Sequence, residues 1–298
     1  MHQYTLPKRH FHLETNTLMP NPFNQQVIDE FRAHHGRVGG PFEGGRLILL
    51  TTTGARSGAR HTTPVAYLPD GAERILVIAS AGGAPHHPDW FLNLVAHPRV
   101  TVENGVFTYE AEAVVLEGEE RDRVFARAAE ADPGWAAYQD NTTRVLPVVA
   151  LTSVETGPPN FAGATPGETI TILHDAFRRE LALIRKEVAD AGPALAAQLR
   201  VNCLTICQGL HNHHAGEDRA MFPLLRDRWP ELAPALDRLD EEHRKIAALL
   251  DELQQVISGD GAEPGRLLAE VDRLTDALEA HLAYEEEQLI PVLDAMAR

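Results

Sequence analysis

Between Gln25 and His35 the apolar side chains Val27, Ile28 and Phe31 recur at helical spacing, and the glycine-rich run Gly36 to Gly45 predicts the end of that helix. The pattern then shortens. Arg46 to Thr53, Thr63 to Leu68, Arg74 to Ser80, Arg99 to Glu103, Val106 to Leu116 and Leu146 to Val154 are rich in β-branched residues and bounded by turn chemistry, which predicts strands. Pro69-Asp70-Gly71 turns the second strand into the third, and Asn104-Gly105 supplies the positive φ of a tight hairpin. Six such strands predict a barrel; helices at Asp89 to Ala96 and Glu119 to Glu130 make this half α+β. From Glu155 to Gly167 the chain is too rich in Pro and Gly for an element interior. Four long helical stretches follow, Glu168 to Ala191, Pro193 to Arg228, Glu231 to Ser258 and Pro264 to Ala297, the pattern of an all-α, up-down-up-down four-helix bundle. The expected organisation is an N-terminal extension over 1–20, a barrel over 21–155, a linker over 156–167 and a bundle over 168–298. Met19-Pro20-Asn21-Pro22 reads as an alternative start followed by helix-entry punctuation.

Charge narrows the partners. The net charge is -16, and residues 165–298 hold 25 acidic against 14 basic side chains, so the excess sits mostly on the bundle and argues against nucleic acid. No apolar run approaches the roughly 20 residues of a bilayer-spanning helix. Only Cys203 and Cys207 are present, four apart on one helix, so no disulfide framework is expected; buried thiols in a reducing cytoplasm are the expectation.

The bundle carries the stronger chemical signal. His213 and Glu217 are four apart on its second helix, and His281 and Glu285 repeat the pair on its fourth, each on one helix face about 6 Å apart. His174 on the first helix and His243 on the third give every helix an imidazole. Four imidazoles and two carboxylates converging on a bundle axis suit a non-haem dinuclear iron centre better than one tetrahedral zinc. With His213-His214-Ala215-Gly216-Glu217 before Met221-Phe222-Pro223, and His281-Leu282-Ala283-Tyr284-Glu285 before Leu289-Ile290-Pro291, residues Ile170 to Leu293 resemble the hemerythrin-like HHE cation-binding domain. That resemblance implies metal ligation by His174, His213, Glu217, His243, His281 and Glu285. It also names His214 as a candidate ligand beside His213. Oxygen carriers of the family have a second His four residues after the third-helix His; here that position is Ala247, so the carrier's five-His set is expected to be incomplete. His211 lies about 160° around the helix from His213 and is expected to face away.

In the first half, Thr51-Thr52-Thr53-Gly54-Ala55-Arg56-Ser57-Gly58-Ala59-Arg60 ends a strand with glycines, a hydroxyl and two guanidinium forks, a combination suited to an anion. Ala79-Ser80-Ala81-Gly82-Gly83 follows another strand and leads into Pro85-His86-His87-Pro88-Asp89-Trp90, where glycines permit backbone approach to a flat ring. Together these resemble the deazaflavin-dependent nitroreductase family of split β-barrels, from Asn21 to Thr152. The resemblance implies coenzyme F420, with FMN the alternative. Arg56, Ser57 and Arg60 would hold its phosphate and acidic tail, and Ser80, Gly82, Gly83, His87, Pro88, Trp90 and Asn93 would shape the ring pocket. Tyr138 is the matching catalytic phenol, placed to donate a proton as hydride reaches the substrate.

The expected protein is therefore a cytoplasmic oxidoreductase fusing an F420-dependent hydride donor to a diiron bundle. Its acceptor would be a small molecule of quinone, nitroaromatic or enone type, with oxygen or nitric oxide as partner of the iron, electron exchange between the sites, and a homodimer as the family's assembly. Two other readings stand beside it: an iron, oxygen or nitric oxide sensor, and a barrel kept only for coenzyme binding or dimerisation.

Overall fold

The computed structural model describes residues 21–71, 74–105, 107–154, 164–191, 196–258 and 264–296; the extension over 1–20, Val106 and most of the linker lie outside them. Helix α1 (Pro22–Ala33) opens where the Asn21 side chain accepts from Phe23 N, with proline at the first helical position. It buries Val27, Ile28 and Phe31 against Leu47 and Leu49. Those leucines alternate with Ile48 and Leu50, which fill the barrel. Strand β1 (Leu47–Thr53) is therefore apolar on both faces, because the period of two sends neighbours to opposite sides.

Strands β1, β2 (Arg60–Pro69), β3 (Arg74–Ile78), β4 (Arg99–Asn104), β5 (Phe107–Val115) and β6 (Val148–Ser153) form a closed antiparallel barrel in the order β1-β2-β3-β6-β5-β4. Leu49–Thr51 pair with Glu103–Thr101 to close it. The Asn104↔Phe107 pair ends the β4–β5 hairpin, with Gly105 at φ 62° as its dipeptide requires. Helix α2 (Asp89–Ala96) buries Trp90, Phe91 and Leu94 on the barrel, and α3 (Gly118–Ala131) buries Val124 and Ala128 over Leu76, Ile78 and Val148. A further helix, α4 (Pro133–Asp140), adds to the expected set; its eight residues show no apolar stripe, and the Asp132 side chain starts it by accepting from Gly134 N.

The second half is the expected helical bundle: α5 (Pro166–Asp190), α6 (Ala197–Gly216) continued by α7 (Phe222–Arg228), α8 (Ala233–Ser258) and α9 (Pro264–Met296). Helix α5 begins earlier than composition predicts, because Thr165 and Glu168 form a reciprocal capping box and Pro166 takes the first helical position; Gly167, assigned to the linker, lies in the first turn. No helix among the described residues is long and apolar enough to cross a membrane.

The connectivity gives the barrel two unlike ends. The turns 54–59 and 79–88 and the start of β6 lie at one. The start of β1, the β2–β3 turn and the β4–β5 turn lie at the other, and there the bundle docks. Arg46 is the centre of that contact, with Nε and Nη2 donating to Glu180 Oε1 at 2.9 and 2.6 Å and Nη1 to Glu187, both on α5. Around it Arg179 Nη1 donates to the His35 carbonyl (2.9 Å) and Gln198 Nε2 to the Pro69 carbonyl (2.8 Å). Gly36 is at φ 90° and a Cβ there would lie 2.5 Å from Gly105 Cα, so the α1–β1 loop rests directly on the β4–β5 turn.

Candidate coenzyme cradle and metal centre

In the bundle a polar layer interrupts the apolar core. On one side lie Leu181, Leu210, Ile246, Leu278 and Leu282; on the other Ile170, Phe222, Leu239 and Leu289. Between them His214, His243 and His281 form one group, and His174, His213, Glu217 and Glu285 a second; within each, one ligand atom per residue lies within 4.8 Å of all the others. The carboxylates join the groups. Glu217 Oε1 is 3.2 Å from His213 Nε2 while its Oε2 is 3.5 Å from His243 Nε2. Glu285 Oε2 is 3.5 Å from His174 Nε2 and 3.6 Å from His281 Nε2.

All five Nε2 atoms, Glu217 Oε2 and both Glu285 oxygens are buried without a hydrogen-bond partner. Each such group costs about 1–3 kcal/mol if nothing else satisfies it, and several in one layer fit a cation site rather than a core. Protonation is opposed at three of the imidazoles. Burial, reinforced by the neighbouring imidazoles, pushes His213 down to about 3 and His281 to about 4, and lowers His214 as well. Burial raises Glu217 well above the usual carboxylate range, with Glu285 adding to it; burial likewise raises Glu285. The layer thus gathers five buried ring nitrogens and two carboxyls, a donor set that fits a cation.

Three acids that sequence reasoning missed orient the imidazoles. His174 Nδ1 meets Glu286 Oε1 at 2.8 Å, His243 Nδ1 meets Asp218 Oδ1 at 2.7 Å, and His281 Nδ1 meets Glu242 Oε2 at 3.2 Å. A carboxylate only accepts, so each Nδ1 carries the proton and each Nε2 lone pair faces inward. Arg178 and Arg238 in turn hold Glu286 and Glu242, each at 2.8 Å. Glu217 enters the layer from a π-helical turn over Glu217–Met221, the local widening that joins α6 to α7. His211 is exposed, as its helical angle predicts, and Cys203 and Cys207 lie buried in the core.

At the free barrel end, the turn after β1 is closed by Gly54 N donating to Ala59 O (2.7 Å) and Gly58 N to Gly54 O (2.8 Å), leaving Arg56 and Ser57 exposed. Arg60, at the start of β2, donates to Thr101 Oγ1. A Cβ on Gly58 or Gly82 would meet nothing within 4 Å, so both turns face open space, as a ligand cradle requires. Asn93 does not face that space: Oδ1 accepts from Ala55 N (2.9 Å) and Nδ2 donates to Thr52 Oγ1 (3.1 Å), pinning the 54–59 turn from α2. Trp90 is buried against Phe91 in the barrel core, so it backs the pocket rather than lining it. His87 and Pro88 are half-buried, with His87 4.9 Å from the Phe91 ring. Gly83, at φ 81°, packs on α4, where a Cβ would lie 2.9 Å from the Tyr138 carbonyl. That contact brings Ser80, Gly82 and Tyr138 to one rim, with the Tyr138 side chain 39% exposed and edge-on to Trp135. Arg144 was not foreseen; it binds the backbone of this rim.

A closed barrel with two open turns at one end, joined to a bundle with a buried layer of imidazoles and carboxyls, defines a two-part protein with a candidate cation site. Over residues 24–153 the chain matches the F420H(2)-dependent quinone reductase family model, and over 165–293 the hemerythrin HHE cation binding domain model. It is 34% identical over 126 residues to an F420H(2)-dependent quinone reductase of Mycobacterium tuberculosis, covering 41% of this chain and 84% of that protein. The chain belongs to the F420H(2)-dependent quinone reductase family, with a hemerythrin HHE domain fused after the barrel. Among solved structures it resembles an F420-H2 dependent reductase at 38% identity, over 36% of this chain and 93% of that one, with a TM-score of 0.33. A chain described as a domain-swapped dimer is similar at 33% identity, over 44% and 99%, with a TM-score of 0.35.

Proposed function

We propose that the barrel uses reduced coenzyme F420 to reduce a small molecule of quinone, nitroaromatic or enone type, and that the bundle holds two iron ions. The kinship over 24–153 supports the first part, with F420 favoured over FMN by the relatives' own description. The observation that carries the second is the set of five buried, unpartnered Nε2 atoms with two carboxylates spanning them. When bound, the coenzyme supplies a hydride and the metal pair one-electron redox chemistry. Arg56, Ser57 and Arg60 hold the coenzyme's phosphate and acidic tail, and Ser80, Gly82, Gly83, His87 and Pro88 take the ring. Trp90 and Asn93 fix that cradle from behind. Tyr138 delivers the proton that accompanies the hydride. His214, His243 and His281 would hold one ion and His174 and His213 another, with Glu217 and Glu285 reaching both groups; His214 adds a fifth imidazole where the third helix has Ala247, and the bound metal would supply redox chemistry toward oxygen or nitric oxide.

The two centres lie beyond opposite ends of the barrel. Seven residues of β1 alone separate the docked end from the 54–59 turn, about 23 Å at strand rise. Electron exchange within one chain therefore runs through a diffusible reduced acceptor rather than by contact. A sensing role gains from a different observation: α5 carries His174 and, six and thirteen residues on, the Glu180 and Glu187 that grip the barrel. A change at the metal layer reaches the barrel along one helix.

The test is anaerobic oxidation of reduced F420 by the iron-loaded full chain with a soluble quinone, followed by oxygen, beside the Glu217→Ala, Glu285→Ala variant and metal counts on both. Quinone-dependent oxidation and two irons per chain, lost in the variant, are expected. Absence of F420 binding, or one iron or none in the wild type, overturns the corresponding half. An oxygen burst that needs iron supports coupling, whereas equal turnover in both proteins with altered partner binding or assembly supports sensing.

A further inference from the structure

The turn after β3 is closed by Gly83 N donating to Ser80 O (3.0 Å) and Ala84 N to Ala81 O (3.1 Å), and a side chain from elsewhere braces it further. Ala81, Gly82 and Gly83 all have positive φ, at 47°, 62° and 81°, and for Ala81 this is a backbone state that costs roughly 1 kcal/mol. Its carbonyls turn toward Arg144, from the segment before β6. Arg144 Nε donates to Ala84 O (2.8 Å), Nη1 to Ala79 O (3.0 Å) and Nη2 to Ser80 O (2.6 Å). Nη1 also lies 3.2 Å from His87 Nδ1. Arg144 is itself fixed, since its carbonyl accepts from Gln139 Nε2 at 2.8 Å.

That last contact decides the state of the histidine. A guanidinium has only donors, so Nδ1 must be the acceptor and the ring proton must sit on Nε2. An imidazolium would point its Nδ1–H at a guanidinium N–H. We propose that Arg144 is a positioning residue that locks His87 as the neutral Nε2–H tautomer, so that His87 presents a hydrogen-bond donor and never a base to a carbonyl oxygen in the cradle. The inference rests on the reading of residues 80–88 as the ring pocket. The oxygen is the acceptor's, since the coenzyme ring gives up the hydride and only the acceptor's oxygen gains negative charge, and a neutral imidazole can polarise it without losing a proton. Burial and the charges of Arg144 and His86, the groups that act on the ring, lower the His87 pKa in the same sense. The proton that completes reduction must then come from another group, for which Tyr138 on the same rim is placed. No other proton donor on that rim is required.

The experiment follows the imidazole nitrogens of the full chain by nitrogen-15 NMR from pH 5 to 8, assigning His87 by the signal lost in His87→Gln. A single Nε2–H tautomer that titrates below the ordinary value of about 6.5 is expected in the wild type, and a mixed tautomer titrating near that value in Arg144→Lys. A wild-type His87 that carries its proton on Nδ1, or that titrates near 6.5, overturns the proposal. Kinetics with reduced F420 and a soluble quinone add a second arm. His87→Ala should lower kcat/KM by roughly 10²-fold while His87→Gln, which keeps an N–H donor, stays within about tenfold of the wild type. A fall in kcat or a rise in quinone KM with F420 affinity kept is expected, and a matching loss of F420 affinity overturns the assignment to the acceptor. Wild-type kinetics in His87→Ala overturn the role. Failure of the wild type to bind F420 would strike the reading of the barrel instead, and the tautomer measurement would still decide the lock.

Discussion

Replacing Arg46 by methionine should loosen the bundle from the barrel before it unfolds either. The guanidinium is 10% exposed and meets carboxylates that are 22% and 34% exposed. Burial works against its charge, but Glu180 and Glu187 more than offset that. Removing one partner of a fully buried pair costs about 3–5 kcal/mol, chiefly through the charge left behind. Here both acids keep some access to water, which lowers the expectation to about 2–3 kcal/mol. The assay is urea unfolding in a Trp229→Phe background, where Trp90 and Trp135 fluorescence reports the barrel and far-ultraviolet dichroism is dominated by the bundle. Coincident transitions are expected with Arg46, and a separated, earlier helical transition in Arg46→Met. Adding Glu180→Gln and Glu187→Gln should restore much of the loss, because an apolar contact substitutes well for an ion pair once no charge is stranded. Coincident transitions within about 0.5 kcal/mol of the parent would refute the reasoning, since surface substitutions commonly stay in that range.

Other outcomes follow from the same coordinates. Asp218→Asn and Glu286→Gln should each weaken metal binding by about 10–100-fold, read by competition with a chelator, through loss of the acceptor that orients His243 or His174. His214→Ala should lower the metal count from two toward one by elemental analysis, because it leaves His243 and His281 without a third imidazole. Burial pushes the Cys203 and Cys207 thiols up to about 12, so a thiol reagent at pH 8 should label them only on unfolding. Their raised folded values are an acid's: the stability they lend is complete below about 9 and falls as pH rises toward 12, seen as an unfolding midpoint that drops above pH 9.

What could be read from the chain followed regular spacing. The two His-x-x-x-Glu pairs each span one helical turn, and the structure brings those four residues and the single His174 and His243 into one layer. His214 was harder, because neighbours on a helix diverge by about 100° and do not share a target. They need not here: His213 faces His174 while His214 stacks on His243 at 4.2 Å, so the divergence sends them into the two groups of the layer. Asp218, Glu242 and Glu286 resemble ordinary solvated charges on acidic helices, and only the tertiary pairing of their Nδ1 partners sets them apart. Arg144 binds carbonyls some sixty residues away, and backbone acceptors leave no mark in a sequence. Trp90 and Asn93 sit beside the pocket in sequence yet are turned inward by the α2 register. The six strands were legible through their turns, whereas α4 depends on the Asp132 cap and on Gly83 packing beneath it.

The docking at Arg46 has an architectural consequence. By covering the pole of the barrel formed by the β2–β3 and β4–β5 turns, the bundle acts as a stopper and removes that surface from any assembly. On the flank of the barrel Leu92, Val95 and Val114 stay exposed. The 54–59 and 79–88 turns consequently open away from the bundle, with the layer of imidazoles and carboxyls beyond the opposite pole.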